Sequence, residues 1–404
     1  MDIHSLLFRV LFFSLLVILI DTVLWFRLKH AAQNNAWIRR IRLSIPIITL
    51  LFGLSLGLYF WLAGKPGLDP VAYRRVFIFT GLFQIIWLPR LVYVVLDLIT
   101  LVFLLIWRKT RVALHRNLLY LNLGIGLLMT LACLHAVFIG KHDVRLREIH
   151  LNPEGLPVAF QEISLLQISD THLGSFGDIE KARRGLQRVF ETSPDIIVVT
   201  GDLINIIAEE AYPYEDVLTS MRAPMGKYAI LGNHDIGDYV KGDTIRPPEI
   251  NRALLREFYR RTGFILLEDS AVVLHKDGDS LLLAGVDNWG LPPFRQEGDL
   301  AQALSGRAHM PAILLSHDPT HWDAEVRQHP QVLLTLSGHT HGMQLGFRFP
   351  GFQWSPAQYK YPRCVGVYQE GSQYLYVNPG FGFIGMPSRL GIYPELSLIT
   401  LGGS

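Results

Sequence analysis

The chain has 404 residues, half of them hydrophobic and only 18% charged, with a mean hydropathy of +0.27 and a formal net charge of +2. Soluble domains carry about 25% charged residues, so this composition excludes a disordered chain or a nucleic-acid-coating one and argues against a wholly soluble protein. Two cysteines, Cys133 and Cys364, exclude a disulfide scaffold and a cysteine-based zinc finger. The near-zero charge averages two unlike parts, since residues 1–140 carry a net +10 and residues 141–404 a net −8.

Residues 1–140 hold four apolar stretches, at 6–26, 43–63, 76–107 and 118–140. Each supplies the about 20 helical residues that a bilayer core requires, which predicts a four-helix transmembrane anchor. The third contains Pro89-Arg90 and is expected to kink or tilt; it is too short for two spans. The first has too long an apolar run for a cleavable signal peptide, and no small-residue cleavage site follows it. Four spans put both ends on one side of the membrane. The loops after the first and third stretches carry nine basic residues (Arg27, Lys29, Arg39, Arg40, Arg42; Arg108, Lys109, Arg111, Arg116). The other side carries seven, namely Arg9, Lys65, Arg74, Arg75, Lys141, Arg145 and Arg147. The positive-inside rule then places both ends, and the domain that follows, outside the cytoplasm. Asp21, Arg90 and Asp97 fall inside the stretches. Such charges mark functional pathways or pair within the bundle; pairing is the weightier reading here.

Residues 141–158 read as a short linker or first strand, and 159–404 as one globular domain. Strands are expected at 163–168, 195–199 and 228–231, near 264–267, 271–275, 280–285, 312–316, 332–336 and 374–377, and at the C-terminus after Pro394-Glu395. Helices are expected at 179–191 and 248–262. Alternating strands and helices predict an α/β domain.

The polar residues concentrate just after these strands, where ligands bind in open α/β sheets. The blocks are Asp170-Thr171-His172, Gly201-Asp202, Gly232-Asn233-His234-Asp235, Ser316-His317-Asp318 and Gly338-His339-Thr340-His341-Gly342. Any one of them is more simply a turn or a capping pair. Five in one domain, each at a strand end, point to metal. Imidazole with carboxylate suits Zn, Mn or Fe, and the donors are too many for one tetrahedral site. Two ions about 3.5–4 Å apart, bridged by one carboxylate, would use them all.

This order of blocks resembles the calcineurin-like metallophosphoesterase superfamily, whose pattern is Asp-x-His, Gly-Asp, Gly-Asn-His-Asp/Glu, His and Gly-His-x-His. The resemblance covers residues 160–400 and implies a four-layer sandwich of two mixed β-sheets flanked by helices. It further implies that Asp170, His172 and His341 hold one metal, that Asn233, His317 and His339 hold the other, and that Asp202 bridges them. His234 would not be a ligand; it would face the substrate phosphate and either protonate the leaving group or stabilise the transition state. The implied cofactors are two divalent ions (Mn2+, Fe2+ or Zn2+), with in-line attack on phosphorus by a hydroxide bridging them. Asp202 and His234 are the expected catalytic residues.

One departure narrows the class. Protein phosphatases of this superfamily continue the second block as Gly-Asp-x-x-Asp-Arg-Gly, whereas here it runs Gly201-Asp202-Leu203-Ile204-Asn205. The acid that orients the histidine is replaced by Asn205, which argues against a protein phosphatase and leaves Asp235 as a candidate to orient His234. Further on come Met343-Gln344, an aromatic loop (Phe347, Phe349, Phe352, Trp354, Tyr359, Tyr361) and Tyr376-Val377-Asn378-Pro379-Gly380. These look like the YkuE- and YaeI-like branch, several of whose members carry membrane segments, and some of whose relatives are UDP-2,3-diacylglucosamine pyrophosphatases.

The expectation is a membrane-anchored phosphodiesterase or pyrophosphatase acting on a phosphoester, with a UDP-diacylglucosamine-like lipid as one candidate substrate. Membrane lipids are expected contacts and nucleic acid is not. Arg389, Asn378 and Arg348 are the substrate-binding candidates. The aromatic loop reads either as a packed lid or as a membrane-interface surface. The rivals are a non-catalytic scaffold and a regulator of a membrane process. A scaffold would be expected to lose ligands, and none is lost here.

Overall fold

The computed structural model describes residues 3–33, 35–63, 70–106, 112–237, 247–307, 309–349 and 351–403. The loop residues Lys65, Arg108, Lys109 and Arg111 of the charge count lie outside this set. The chain divides into two compact units, one of Met1–Pro66 with Ile78–His135 and one of Gly67–Phe77 with Ala136–Ser404.

Four long helices account for the apolar stretches: α1 (Ile3–Gln33), α2 (Ala36–Ala63), α3 (Pro70–Ile106) and α4 (Val112–Phe138). α2 and α3 run through Pro46 and Pro89. Among the described residues, two helical segments, Arg74–Ile106 and Asn117–His142, are long and apolar enough to cross a membrane. Leu15, Leu50, Leu54, Leu105 and Leu128 point outward and are exposed. The three charges within the stretches are all paired, and a fourth residue joins them. The Asp21 carboxylate receives Arg90 Nη1 at 2.8 Å, Trp87 Nε1 at 3.4 Å and the Thr49 hydroxyl. Asp97 receives the guanidinium of Arg27, with Nη2 to Oδ1 at 3.1 Å.

The second unit carries two six-stranded mixed sheets. One is ordered β1 (Arg145–Leu151), β14 (Glu395–Leu401), β2 (Ile163–Ile168), β3 (Ile196–Thr200), β4 (Lys227–Ile230) and β5 (Ile265–Leu266). Here β2 to β5 are parallel and β14 is antiparallel to β2. The other is ordered β12 (Gly366–Glu370), β13 (Gln373–Val377), β9 (Val332–Ser337), β8 (Ala312–Leu315), β7 (Asp279–Gly285) and β6 (Ser270–Lys276), with antiparallel edge pairs. A short hairpin, β10 (Phe347–Phe349) with β11 (Phe352–Trp354), stands apart from both.

The strands are apolar on both sides because both faces are covered. Leu165, Ile196, Val198 and Ile230 meet Leu283, Ile313, Leu334 and Tyr376 between the sheets. The alternate residues Leu166, Ile197 and Val199 pack under α5 (Ile179–Gln187), α6 (Glu215–Ser220) and α7 (Pro248–Thr262) through Leu186, Leu218 and Phe258. On the far side Leu282, Leu314 and Leu375 pack on Leu300 of α8 (Leu300–Ala303) and Trp322 of α9 (Thr320–Ala324). The order is thus helix, sheet, sheet, helix. Local signals set the helix ends. Asp178 caps α5 by accepting the Lys181 N–H at 3.1 Å, while Pro248 opens α7 and left-handed Gly263 closes it.

Candidate metal centre

Each block sits where a strand delivers it. Asp170 and His172 follow β2, Asp202 follows β3, and Asn233 and His234 follow β4. His317 follows β8, and His339 and His341 follow β9. These loops from both sheets converge, and all the named side chains are buried or nearly so.

Three groups of side chains lie close enough to share a cation: Asp170 with His172 and His341, Asp202 with His317 and His339, and His172 with Asp202 and His234. Nε2 of His172 lies 3.0 Å from Nε2 of His341, which is 3.4 Å from Asp170 Oδ1. Oδ2 of Asp202 stands between the two sides, 3.6 Å from His172 Nε2 and 3.2 Å from His317 Nε2. The Asn233 carbonyl oxygen is 3.2 Å from His317 Nε2 and 2.8 Å from His339 Nδ1. Lone pairs facing lone pairs at these distances suit a cation. The electrostatics of the cluster favour a positive charge beside Asp202. Burial alone would lower His317, yet Asp202 carries it up to about 10. Burial lifts Asp170 to about 7. Asp202 is pushed up by burial, but the surrounding imidazoles of His317 and His234 outweigh this and hold it well below the usual carboxylate range. The donor set therefore fits divalent metal by both chemistry and geometry.

The backbone bends sharply to bring these groups together. Asp170, His172, Asp202, His339 and His341 all have φ between 42° and 70°, in the left-handed region. Such conformations cost of order 1–3 kcal/mol each and persist where the surroundings enforce them. Two motif glycines serve close approach. A Cβ on Gly232 would collide with the Asp202 carboxylate, and one on Gly338 with that of Asp170.

His234 is oriented by the main chain. Its Nδ1–H donates to the Asn205 carbonyl at 2.8 Å, and its own N–H donates to Asp202 Oδ1 at 2.8 Å. Asp235, the sequence candidate for this task, instead accepts the N–H groups of Leu203, Ile204 and Gly232 at 2.9 to 3.2 Å and ties two metal loops together.

The three substrate-contact candidates turn inward. Arg389 is fully buried, and its guanidinium donates to the carbonyls of Gly382 (2.8 Å) and Pro379 (2.9 Å). Asn378 donates to Ser397 at 2.8 Å and accepts the Gly380 N–H at 2.6 Å. Arg348 pairs with Glu395 at 2.7 Å. Their donors are engaged inside the protein, so substrate contact is not assigned to them. Sequence reading missed what Asp318 and Arg389 do at the centre. Asp318 stands 3.5 Å from His339 Nε2, and Arg389 Nη2 lies 3.1 Å from His341 Nδ1.

A two-sheet sandwich gathering carboxylate, imidazole and amide donors at its strand ends defines a metal-dependent phosphoric ester hydrolase. The chain belongs to the calcineurin-like metallophosphoesterases: the Calcineurin-like phosphoesterase family pattern matches residues 163–343. It is similar to the uncharacterized metallophosphoesterase YkuE of Bacillus subtilis, 31% identical over 274 residues, covering 66% of this chain and 88% of that protein. A transmembrane protein with metallophosphoesterase domain of Danio rerio is 29% identical over 266 residues, 63% of this chain and 56% of that longer protein. UDP-2,3-diacylglucosamine pyrophosphatase LpxG of Chlamydia trachomatis is 27% identical over 265 residues, 54% of this chain and 78% of the relative.

Proposed function

We propose that this chain is a membrane-anchored hydrolase of a phosphodiester or pyrophosphate bond, with a lipid-linked molecule as substrate. The observation that carries the reading is the convergence of the donor residues from both sheets. Asp170, His172 and His341 would hold one divalent cation and Asn233, His317 and His339 the other, with Asp202 shared. When bound, two such ions offset the phosphate charge and make a coordinated water a good nucleophile at neutral pH.

His234 handles the proton. Because Nδ1–H is committed to the Asn205 carbonyl, Nε2 is the nitrogen that exchanges a proton with the leaving oxygen. The ring packs edge-on against His172 with centroids 4.8 Å apart, which fixes it beside the centre. The absence of an acid at position 205 supports a non-protein substrate.

The lipid-linked reading has three supports: the apolar helices of the first unit, the exposed aromatic hairpin and the LpxG relative. In the hairpin Phe347, Phe349 and Phe352 are exposed and Tyr359 beyond it is 80% exposed, as befits a headgroup-layer surface rather than a packed lid. Four spans with both ends outside the cytoplasm remain the topology proposed from the basic loops.

Full-length protein in detergent with Mn2+ should hydrolyse bis(p-nitrophenyl) phosphate and, among lipid substrates, a UDP-diacylglucosamine. Inactivity with Mn, Zn, Fe, Co and Mg on both the water-soluble ester and lipid pyrophosphates would sink the proposal. A reporter fused after Ser404 tests the topology.

A further inference from the structure

The two sides of the centre differ by one charge in their direct donors. The first side offers Asp170, His172 and His341, and the second offers Asn233, His317 and His339, with Asp202 common to both. On direct donors alone the first side would bind a divalent cation far more tightly.

The residues behind the paired histidines have the opposite imbalance. Behind His341 stands a cation. Arg389 is fully buried, and Nη2 lies 3.1 Å from His341 Nδ1, on the ring edge away from His172 and Asp170. Among the described residues no ion pair within 4 Å joins this guanidinium to a carboxylate; its other partners are the carbonyls of Pro379, Gly382 and Ile392. Behind His339 stands an anion. Asp318 is buried, and its Oδ1 takes the Thr320 N–H and hydroxyl at 2.9 and 2.6 Å. Its Oδ2 has no hydrogen-bond donor among the described residues and lies 3.5 Å from His339 Nε2, whose own hydrogen-bond partner is the Tyr361 hydroxyl at 3.1 Å.

A carboxylate close behind a ligating imidazole attracts the bound ion through the ring, and a guanidinium there repels it, both by Coulomb interaction. Gly380 sits between these groups on the first side. A Cβ there would meet Asp170 Cβ at 2.8 Å, His341 Nδ1 at 3.1 Å and Arg389 Nη2 at 3.3 Å, so the close approach of guanidinium to the centre depends on glycine.

We infer that Arg389 and Asp318 are positioning residues that equalise the two cation sites, Arg389 offsetting the extra carboxylate of the Asp170 side and Asp318 supplying the charge that Asn233 lacks. The two-cation state then fills over one range of metal concentration, with little single-cation enzyme between. This rests on the dinuclear reading above.

The test is Mn2+ binding alone, followed by the resonance of the free ion on metal-stripped full-length protein in detergent. Wild type should bind two Mn2+ with affinities within about tenfold of each other; a wider separation overturns the inference. Binding of fewer than two ions overturns the dinuclear reading itself, so the two failures are distinguishable. Site-resolved values come from His341→Ala, which leaves the Asn233 side, and His339→Ala, which leaves the Asp170 side. Asp318→Asn, which removes a nearby negative charge, should weaken the site left in His341→Ala by at least about threefold and leave the site in His339→Ala within twofold. Arg389→Gln should tighten the site left in His339→Ala at least threefold, while Arg389→Lys, which keeps the charge, should not. An Asp318→Asn effect on both sites or on neither, or a weakening by Arg389→Gln, overturns the inference. Melting of the stripped variants reports folding, and if Arg389→Gln does not fold, the Asp318 arm decides alone.

Discussion

The helical unit and the metal centre of the α/β unit handle buried charge in opposite ways. In the helical unit every buried charge that the structure describes meets its opposite: Asp21 meets Arg90, and Asp97 meets Arg27. At the centre, acceptor faces acceptor, imidazole against imidazole at His172 and His341 and amide oxygen against imidazole at Asn233 and His339. Charge that is neutralised internally holds helices together. Charge left to be neutralised from outside defines a site.

The contrast is broken most forcefully by removing the proton-handling group. His234→Ala should lower kcat on bis(p-nitrophenyl) phosphate by about 10³-fold, within the range for general acid–base groups, while the protein still binds metal. Retained activity would dissociate His234 from the chemistry. Next in size is the helical unit. Asp21→Asn leaves Arg90 buried without its partner and should destabilise that unit by about 3–5 kcal/mol, read as an earlier detergent-induced unfolding transition, with kcat on the water-soluble ester unchanged. A fall in kcat would assign these charges to function. Chelation should then destabilise the α/β unit alone. A site held at 100 times its Kd contributes about 2.7 kcal/mol, so removing metal should lower the α/β transition and leave the helical one in place.

The smallest effect expected is a pH slope from Glu210. Burial lifts its carboxyl to about 7, against the usual 4.5, while it accepts the N–H groups of Asn205 (2.6 Å) and Ile206 (3.4 Å). A folded-state value raised above the unfolded one means the native state binds the extra proton. This contribution to stability is full below about 4.5 and is lost as pH rises through about 7. With metals saturating, Tm should decline by a few degrees across that window, and Glu210→Gln should flatten the decline. An unchanged slope in the variant would rule the carboxyl out.

Much of this was legible in the sequence because the donors travel in short blocks at strand ends. A strand is a contiguous apolar run, and its next residues are necessarily at the sheet's edge. The helices were legible for the same reason, as long runs of one character. What was not legible acts across long sequence separations. Arg389 stands 48 positions from His341, and nothing in its neighbourhood distinguishes it from a surface arginine, so it read as a substrate contact. The orienter of His234 is a main-chain carbonyl, which has no sequence signature, so an adjacent acid was considered in its place. The hairpin at Phe347 to Trp354 has strands of only three residues, too short for alternation to identify. β1, an edge strand, does not stand out from a linker in the sequence because the adjacent Arg147-Glu148 interrupts the alternation of Leu146, Ile149 and Leu151.

The left-handed backbone at Asp170, His172, Asp202, His339 and His341 has a consequence for how such a chain could drift. Outside glycine, this region is occupied mainly by Asn, Asp and His, and β-branched residues are rare outliers there. A descendant released from catalysis could not scatter its replacements evenly. It would pass mostly through Asn and Gly at these positions, and Val, Ile or Thr would threaten the fold itself. Among distant chains of this architecture, Asn or Gly in these places would therefore keep the loop backbone whether or not the centre still works.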